Sequence, residues 1–583
     1  MRSILLPVLL LFMQSLAVAQ VDKRTRATQP PPVPAQAPPT KAATLPVKTG
    51  PKKDPAWTRP PKLVVGIVVD QMRVDYIYRF WDNFGSGGFK RLVQEGAFQR
   101  NAHFDYVPTQ TAPGHASVYT GTTPMNHGIV ANDMYDRQRN LGYYCVQDDA
   151  AIGVGATGYK GQRSPLNLLS GTLADEFERI SAGRSKTIGV AMKDRGSILP
   201  IGRTGDAAYW FFEGTDGHFG TSNWYMNDVP QWVKDFNAQG LAKRYLQERW
   251  ELMLPKESYH TALPDDNLYE EPLAGAAKAT LPMDVKAMYE AAGRSTVLLR
   301  FIPASNTYTT DMALAAIKGE AMGQDEVTDL LAISYSAPDE LGHEVGPRSF
   351  ELEDMYLRLD RELERLFVAL DEQVGQGNHT VFLTADHAVV DVPSYLRDQQ
   401  ASAGYVDVQQ VVDLVNQKLG ERFGSGTWVR KRIKEQIFLN DSLITAKKLV
   451  VAEVQRAAAD ILLGHPLIAD AVTASDLARN TFGSGIRKNI QRGFMPLRSG
   501  DVCYVLRPSH LASYSNSGQR GTDHSSTWTY DTHVPVLMMG AGIRPGEVVR
   551  RTSITDIAPT IAMIVGCALP DAATGDPVQE VLR

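Results

Sequence analysis

The chain has 583 residues, of which 43% are hydrophobic and 21% charged, as in ordinary globular proteins. Its formal net charge of −5 and pI of about 6.2 exclude the basic bias that usually marks a nucleic-acid-binding protein. The cysteines Cys145, Cys503 and Cys567 are too few for a disulfide framework, and the sequence leaves open which of them could pair.

The N-terminus, residues 1–19, has the features of a secretory signal peptide. Arg2 supplies a positive charge, Ile4 to Met13 form an apolar stretch, and Ala17-Val18-Ala19 is a small-residue cleavage pattern. We therefore predict a mature chain that starts at Gln20 and is periplasmic or secreted. The alternative is an uncleaved membrane anchor, although the apolar stretch is short for a bilayer.

Residues 20–62 form the next predicted segment, a proline-rich disordered linker. The stretch from Gln29 to Pro61 is rich in proline and lysine and cannot bury a core. Residues 63–583 are expected to form one catalytic domain. Its most apolar segment, Ile557 to Leu569, contains a proline and is too short for a membrane span, so no transmembrane segment is expected after signal removal.

Short apolar runs in this domain have the pattern of buried strands, and they lie at residues 62–69, 186–192, 330–334, 380–384 and 534–539. Between them, apolar residues recur at helical spacing from Leu352 to Leu370, and residues 556–565 suit a late helix. This alternation predicts an α/β fold with a mostly parallel central sheet flanked by helices. Ligands of such sheets bind beyond the carboxyl ends of the strands.

Two long stretches interrupt the alternation, and we interpret both as insertions over one core. Residues 201–325 are rich in aromatic side chains, which we expect to pack in the interior, with the lining of a substrate cleft as the alternative. Residues 395–515 are mostly helical in pattern. A G-x-G-x-x-G match at residues 153–158 follows no strand pattern, so dinucleotide binding is not expected there.

We interpret a set of acidic and histidine residues as lying at the ends of buried strands: Asp70, Asp339, His343, Asp386, His387 and His524. Asp339 and His343 are four residues apart, so one helical turn would place both on one face. Three carboxylates and three imidazoles suit two zinc-type ions, which favour mixed nitrogen and oxygen ligands.

The stretch YVPTQTAPGHASVYTG places Thr111 at a predicted helix start. In one interpretation Thr111 caps the helix, with Pro113 in its first turn. In the other it is a nucleophile, because free N–H groups at a helix N-terminus attract phosphate and a metal eases loss of the hydroxyl proton. Two metals a few ångströms apart suit in-line phosphoryl displacement.

The order of these motifs resembles the alkaline phosphatase superfamily, most closely the phosphate-insensitive PafA-type bacterial alkaline phosphatases. It also resembles the nucleotide pyrophosphatase/phosphodiesterase branch. The likeness runs through most of residues 63–583. The segments that carry it are VVDQM, TQTAPGHASVYTG, NHGIVAND, AMKDRGSI, APDELGHEVGP, LTADH and GTDHSSTWTYDTHVPVLMMGAGI.

The resemblance implies a role for each candidate site residue. Thr111 would be the nucleophile and would also contact a zinc ion. The zinc beside it would be held by Asp70, Asp386 and His387, and the other zinc by Asp339, His343 and His524. The phosphoryl oxygens would be contacted by Asn132, Lys193 and Arg195. From the residues alone, Lys193 and Arg195 could equally be surface charges after the apolar run 186–192.

The sequence also departs from the family pattern. Ser525 stands after the last ligand histidine, where relatives often have glycine. A second histidine, His533, follows closely, but His524 fits the motif position, so we interpret His533 as structural. His115 and His127 are interpreted as structural or as supports of the metal site.

The resemblance implies an exported two-zinc phosphatase that hydrolyses phosphate monoesters through a phosphothreonine intermediate. Its partners would be small-molecule phosphate esters, and a monomer is favoured. The alternative is a type I phosphodiesterase or nucleotide pyrophosphatase with the same metal site. Lys193 and Arg195 favour the monoesterase, because diesterase relatives usually lack this pair. An inactive phosphate-ester-binding protein is the rival from outside the enzymes.

Overall fold

The structure is a computed structural model that describes residues 59–214, 216–513 and 519–583. The predicted signal peptide and most of the predicted linker lie outside these residues. The last linker residue, Lys62, already joins the fold, since its N–H donates to the carbonyl oxygen of Asn378 at 2.7 Å. No helix in the described part of the chain has the length and apolar character that a membrane crossing needs.

The strands and helices of the described residues alternate along the chain. The strands are β1 Leu63–Val69, β2 Ala97–His103, β3 Asp133–Asp136, β4 Leu141–Tyr144, β5 Gly153–Val154, β6 Thr187–Ala191, β7 Ala207–Phe212, β8 His218–Ser222, β9 Asp329–Tyr335, β10 His379–Thr384, β11 Gly404–Asp407, β12 Val429–Ile433, β13 Gln436–Leu439, β14 Ile468–Thr473, β15 Val502–Leu506, β16 His510–Ser513, β17 His533–Gly540, β18 Gly546–Val548 and β19 Thr552–Ser553. The α-helices are α1 Asp75–Arg79, α2 Phe89–Glu95, α3 Thr111–Thr120, α4 Pro124–His127, α5 Leu173–Ser181, α6 Asp194–Ile201, α7 Gln231–Ala238, α8 Leu241–Tyr245, α9 Val285–Ala291, α10 Ala304–Gly319, α11 Ala337–Val345, α12 Phe350–Leu370, α13 Pro393–Asp398, α14 Val408–Phe423, α15 Asp441–Ala446, α16 Val451–Leu463, α17 Ala474–Arg479, α18 Gly485–Gly493, α19 Thr529–Thr532 and α20 Ile557–Val565.

The central sheet has the strand order β18-β2-β17-β10-β1-β9-β6-β7-β8-β5, and β19 also pairs with β2. The middle strands β10, β1, β9, β6 and β7 are parallel. Every residue of β1, β9 and β10 is buried, as their continuous apolar sequences predict. The predicted α/β fold with a mostly parallel sheet flanked by helices is confirmed.

One predicted strand differs in direction. We expected residues 534–539 among the parallel strands, but β17 runs antiparallel to both of its neighbours, β10 and β2. A strand buried on both faces has a continuous apolar sequence whether it runs parallel or antiparallel to its neighbours, so the sequence could not show the direction of β17. The N-terminal end of β17 therefore lies at the edge where the parallel strands end, and the residues preceding it reach that edge.

The two predicted insertions are only partly separate from the core. Residues 201–325 contain β7 and β8, which extend the central sheet, so the first part of this stretch belongs to the core. The aromatic side chains of β7 are buried, as the packing interpretation expects. Residues 395–515 are not mostly helical, because they include a separate four-stranded sheet, β12-β13-β15-β14, beside their helices.

Candidate active site

The carboxyl ends of β1, β9 and β10 place the candidate ligands at one edge of the sheet. Asp70 directly follows β1, and Asp386 and His387 follow β10. Asp339 and His343 lie on α11, which begins shortly after β9. The pairs Val69–Tyr335 and Val68–Thr384 bring these three strand ends level with one another.

The first cluster consists of Asp70, Asp386 and His387, all completely buried. One ligand atom from each residue lies within 4.8 Å of the other two. His387 Nε2 is 3.4 Å from Asp70 Oδ1 and 3.8 Å from Asp386 Oδ1. The predicted ligand set beside Thr111 therefore converges on one point.

The second cluster consists of Asp339, His343 and His524, again with ligand atoms within 4.8 Å of one another. Asp339 Oδ1 is 3.2 Å from His343 Nε2 and 3.6 Å from His524 Nε2. The rings of His387 and His524 stack with their centroids 3.5 Å apart, so the two clusters are adjacent. These are the two ligand sets that the resemblance implied.

Backbone carbonyl groups fix the orientation of all three imidazoles. The Nδ1 atoms of His343, His387 and His524 lie 2.9, 3.1 and 2.6 Å from the carbonyl oxygens of Thr522, Ala388 and Thr109, respectively. A carbonyl oxygen only accepts, so each Nδ1 carries the proton. Each Nε2 faces the carboxylates of its cluster and is the ring nitrogen left free to bind a metal ion held between them.

The clusters also fit metal ions by their electrostatics. Burial, followed by the charges of Asp339 and Asp386, raises the pKa of Asp70 well above its usual range. Asp70 Oδ1 and His387 Nε2 are buried and have no hydrogen-bond partner among the described residues. Buried carboxylates need paired charges, and mixed oxygen and imidazole donors suit zinc-type ions.

Thr111 is the first residue of α3, and its side chain does not cap the helix. The helix-cap interpretation is therefore wrong. The Thr111 hydroxyl is buried and instead accepts a hydrogen bond from Arg195 Nη2 at 3.2 Å. The neighbouring backbone N–H of Ala112 donates to Asn132 Oδ1 at 2.9 Å, which brings Asn132 to the same helix end.

Lys193 and Arg195 project from the end of β6 and the start of α6 into the site, so the surface-charge interpretation is wrong. Lys193 Nζ donates to Asp70 Oδ2 at 2.7 Å and also to Asp339 Oδ2, which places one ammonium group between the two clusters. Burial lowers the pKa of Lys193, but the charges of Asp339 and Asp70 outweigh this and raise it, so the side chain stays charged.

Sequence reasoning missed the residues that hold Arg195 in place. Tyr144 OH accepts from Arg195 Nη1 at 2.9 Å and donates to Asp194 Oδ1 at 2.6 Å. Arg163 Nε donates to the other oxygen of Asp194 at 2.8 Å. The position of Asp194 between two predicted phosphate contacts was an available signal, whereas no spacing pattern marks Tyr144, at the end of β4, or Arg163.

Gln110 is a further residue that sequence reasoning missed. Its Nε2 donates to Ser525 Oγ at 3.0 Å, and its Oε1 accepts from the backbone N–H of Asn132 at 2.8 Å. Gln110 thus links the His524 loop to Asn132. The departure at Ser525, in a position where relatives often have glycine, was the available signal.

Gln71 was also missed, and it orients carboxylates in both clusters. Its backbone N–H donates to Asp386 Oδ1 at 3.2 Å and its Nε2 donates to Asp339 Oδ1 at 2.7 Å. Its φ of 66° is unusual for a residue with a side chain and directs both donors into the site.

Of the other histidines near the site in sequence, His115 contacts the first cluster, since its Nδ1 lies 3.3 Å from Asp386 Oδ2, while His127 and His533 have other partners. His115 Nε2 lies 2.9 Å from Ser334 Oγ, and His115 Nδ1 lies 2.9 Å from the carbonyl oxygen of Thr111. His127 Nε2 is 3.0 Å from Ser117 Oγ. His533 Nε2 forms its hydrogen bond outside the two clusters, at 2.8 Å from the carbonyl oxygen of Arg100.

The chain is similar to known proteins over most of its length. Residues 64–533 match the family model of type I phosphodiesterases and nucleotide pyrophosphatases. A protein from Myroides odoratus named "Calcium-transporting ATPase" is 40% identical over 525 residues, which cover 90% of this chain and 95% of that protein. Alkaline phosphatase PafA from Elizabethkingia meningoseptica is 38% identical over 525 residues, with 90% and 94% covered.

The fold is shared as well. The crystal structure of wild-type alkaline phosphatase PafA superposes with a TM-score of 0.86 at 36% identity, covering 90% of this chain and 100% of that chain. Fold and motifs are those of the alkaline phosphatase superfamily. Within it, the chain belongs to the family of type I phosphodiesterases and nucleotide pyrophosphatases, on the side of the PafA-type alkaline phosphatases. The resemblance read from the motifs is confirmed.

Proposed function

We propose that this protein is an exported, two-zinc phosphatase that hydrolyses phosphate monoesters through a phosphothreonine at Thr111. The hydrogen bond from Arg195 Nη2 to Thr111 Oγ1 is the observation that carries the proposal. This bond places the positively charged guanidinium of Arg195 next to the Thr111 hydroxyl, to which the phosphoryl group would be attached. Export rests on the pattern of residues 1–19.

The two clusters would hold the metal ions. Asp70, Asp386 and His387 would bind the zinc beside Thr111, and Asp339, His343 and His524 would bind the other. When bound, two such ions ease deprotonation of a hydroxyl or a water and stabilise the attacking and leaving oxygens.

The chain's own groups would bind and orient the phosphoryl group during two displacements. First, Thr111 Oγ1 loses its proton and forms a bond to phosphorus, the bond from phosphorus to the ester oxygen breaks, and that oxygen takes up a proton and leaves as an alcohol. Then a water oxygen bonds to phosphorus, the bond to Thr111 Oγ1 breaks, and phosphate leaves. Asn132 Oδ1 is taken by the Ala112 N–H, so its Nδ2 group is the part of the amide that can donate to a phosphoryl oxygen.

The substrate class follows from Lys193 and Arg195. A monoester presents a dianion with three terminal oxygens, whereas a diester has one negative charge and carries a second organic group on one oxygen. Further cations help most where the extra charge develops. Arg195 can form a forked contact to two oxygens, and the buried Lys193 acts as a point charge. A type I phosphodiesterase with the same metal site remains the second candidate, favoured by the matching family model.

Substitution of the two cations tests the substrate class. In the double variant Lys193→Ala/Arg195→Ala, turnover of an aryl phosphate monoester should fall by about 10²-fold or more, as for lost charged transition-state contacts. Turnover of the matching aryl diester should fall much less. Arg184→Ala/Lys186→Ala, with the same spacing at the opposite end of β6, is the matched control. Equal losses on both substrates, or a wild type that is faster on the diester, would contradict the assignment.

Substitution of Thr111 tests the intermediate and excludes the inactive-binding alternative. Thr111→Ala should abolish both turnover and the acid-stable phosphoenzyme trapped with ³²P-labelled monoester, while Thr111→Ser should retain part of each because a hydroxyl remains. An alanine variant with wild-type turnover would refute the assignment. N-terminal sequencing of the protein from the producing cells should give Gln20, and an intact Met1 would refute export.

A further inference from the structure

We propose that Glu340, held in place by Arg300, is a positioning residue that limits how strongly Lys193 attracts a phosphoryl dianion. Glu340 belongs to neither ligand cluster, although it directly follows Asp339 on α11. The inference rests on the proposed function, in which Lys193 contacts the phosphoryl oxygens. Its evidence is a row of charges of alternating sign that begins at Lys193 and leads away from the two clusters.

Lys193 Nζ has three carboxylate groups within ion-pair distance in the described part of the chain. Two of them, Asp70 and Asp339, are candidate metal ligands. The third is Glu340, whose Oε1 lies 3.7 Å from Lys193 Nζ. With cations bound in both clusters, the charges of Asp70 and Asp339 would be shared with those ions. Glu340 is therefore the neighbouring carboxylate whose negative charge the ions would not take up.

Glu340 is itself held by a second cation, Arg300, which precedes α10 in the chain. Arg300 Nη2 donates to Glu340 Oε1, the same oxygen that faces Lys193. Arg300 Nη1 lies 3.7 Å from Glu213 Oε2, and that carboxylate oxygen also contacts Lys160 Nζ. The charges along this row therefore alternate in sign from Lys193 to Lys160.

The row lies mostly inside the protein, so water screens its charges only in part. The Lys193 side chain is 2% exposed, and those of the other four residues are between 16% and 21% exposed. Partly buried charges interact more strongly than charges in bulk water. Removal of one charge from the row should therefore change the electrostatic potential at Lys193.

The sign of each effect follows from Coulomb's law. A carboxylate beside Lys193 repels a phosphoryl dianion, and it does so less while Arg300 neutralises it. Without the Glu340 charge, Lys193 and Arg300 would both attract the dianion, and without the Arg300 charge, Glu340 would repel it more strongly. In the competing account, the Glu340–Arg300 pair only fastens α11 to the segment before α10, and loss of either residue would weaken binding.

The test measures the affinity of full-length, zinc-loaded protein for inorganic phosphate by isothermal titration calorimetry, in mildly alkaline buffer where phosphate is a dianion. The variants are Glu340→Gln, Arg300→Gln, the double variant that combines them, and the conservative Arg300→Lys. Glu344→Gln is the matched control, because Glu344 is a partly buried acid one turn further along α11, next to the candidate ligand His343. Elemental analysis gives the zinc content of each variant.

Glu340→Gln should bind phosphate about tenfold more tightly than the wild type, and Arg300→Gln about tenfold more weakly. The double variant and Arg300→Lys should stay within about threefold of the wild type, because each keeps the net charge beside Lys193. Glu344→Gln should also stay in that range. Weaker binding in both single glutamine variants, or unchanged binding in both, would overturn the proposal. Loss of zinc from Glu340→Gln would overturn it as well, by assigning Glu340 to the metal site.

One more variant separates failure of this inference from failure of the proposed function. Lys193→Ala should bind phosphate more weakly than the wild type, because Lys193 is proposed to contact the phosphoryl group. Unchanged binding in Lys193→Ala would overturn that role, and this inference with it. Weaker binding in Lys193→Ala, together with effects of the same sign in Glu340→Gln and Arg300→Gln, would overturn this inference alone.

Discussion

Ser525, next to the candidate ligand His524, combines a favourable contact with an unfavourable backbone conformation. Its φ of 122° lies in a region that residues with a side chain rarely adopt, at a cost of about 1–3 kcal/mol. Its Oγ accepts a hydrogen bond from Gln110 Nε2 at 3.0 Å, and such a bond contributes about 1 kcal/mol. Two substitutions separate these opposing contributions.

Ser525→Ala removes the hydrogen bond and keeps the strain, so the free energy of unfolding should fall by about 1 kcal/mol. Ser525→Gly removes both, so it should be about 1–3 kcal/mol more stable than the alanine variant and about as stable as the wild type or better. Denaturant unfolding at a fixed zinc concentration measures these differences. Both variants release Gln110, which holds Asn132, so kcat/KM for a monoester should fall by a similar factor of about 3–10 in each.

A glycine variant no more stable than the alanine variant would show that the backbone at Ser525 is not strained. Wild-type kcat/KM in both variants would show that Gln110 does not position Asn132. A glycine variant that is more stable than the alanine variant, together with an equal loss of kcat/KM in both variants, would support both parts of the reasoning.

Other predictions concern Arg195, one buried carboxyl group and the metal ions. Tyr144→Phe should lower kcat/KM for a monoester by about 10-fold or more, because Arg195 loses a buried hydrogen bond, whereas the neighbouring Tyr143→Phe should have little effect; equal losses would contradict this. Burial raises the pKa of Glu178 from 4.5 to about 7, so its stabilising contribution is complete below pH 4.5 and is lost as pH rises through 7. The free energy of unfolding of Glu178→Gln should therefore exceed that of the wild type by about 1–2 kcal/mol at pH 9, after allowance for solvent screening, but not at pH 4. Denaturant unfolding measures this difference, and the same difference at both pH values would refute the reasoning. Chelation should abolish activity and zinc should restore it, and active protein free of transition metal on elemental analysis would contradict the two-zinc proposal.

The sequence predicted the parts of the site that depend on the sheet. Continuous apolar runs identify strands buried on both faces, and parallel strands end at a common edge, so the sequence predicts that Asp70, Asp386 and His387 lie at the same edge of the sheet. The i, i+4 spacing of Asp339 and His343 likewise predicted that both side chains lie on the same face of α11. Such periodic and topological rules predict most of the fold and place Asp70, Asp339, His343, Asp386 and His387 at one edge of the sheet. The division of the ligands into two clusters and the assignment of His524 came instead from the resemblance to the family.

Residues that act through single tertiary contacts could not be found in this way. Tyr144 and Gln110 reach Arg195 and Asn132 across contacts whose partners have no periodic relation in sequence. The direction of β17 was missed because its apolar pattern is the same in both directions. The sheet within residues 395–515 was missed because its strands are short, such as Gln436–Leu439, and lie between longer helical patterns.

The strand order of the central sheet has a consequence for folding. β1, near the start of the domain, lies between β9 and β10, and β17, near its end, closes the other side of β10. The pairings join residues separated by hundreds of positions, and sheets dominated by such distant pairings fold slowly. Asp70 and Asp386 come together only when β1 pairs with β10, and His524 precedes β17 in the chain. A polypeptide interrupted before His524 would therefore have neither a complete second cluster nor β17 as a partner for the edge of β10.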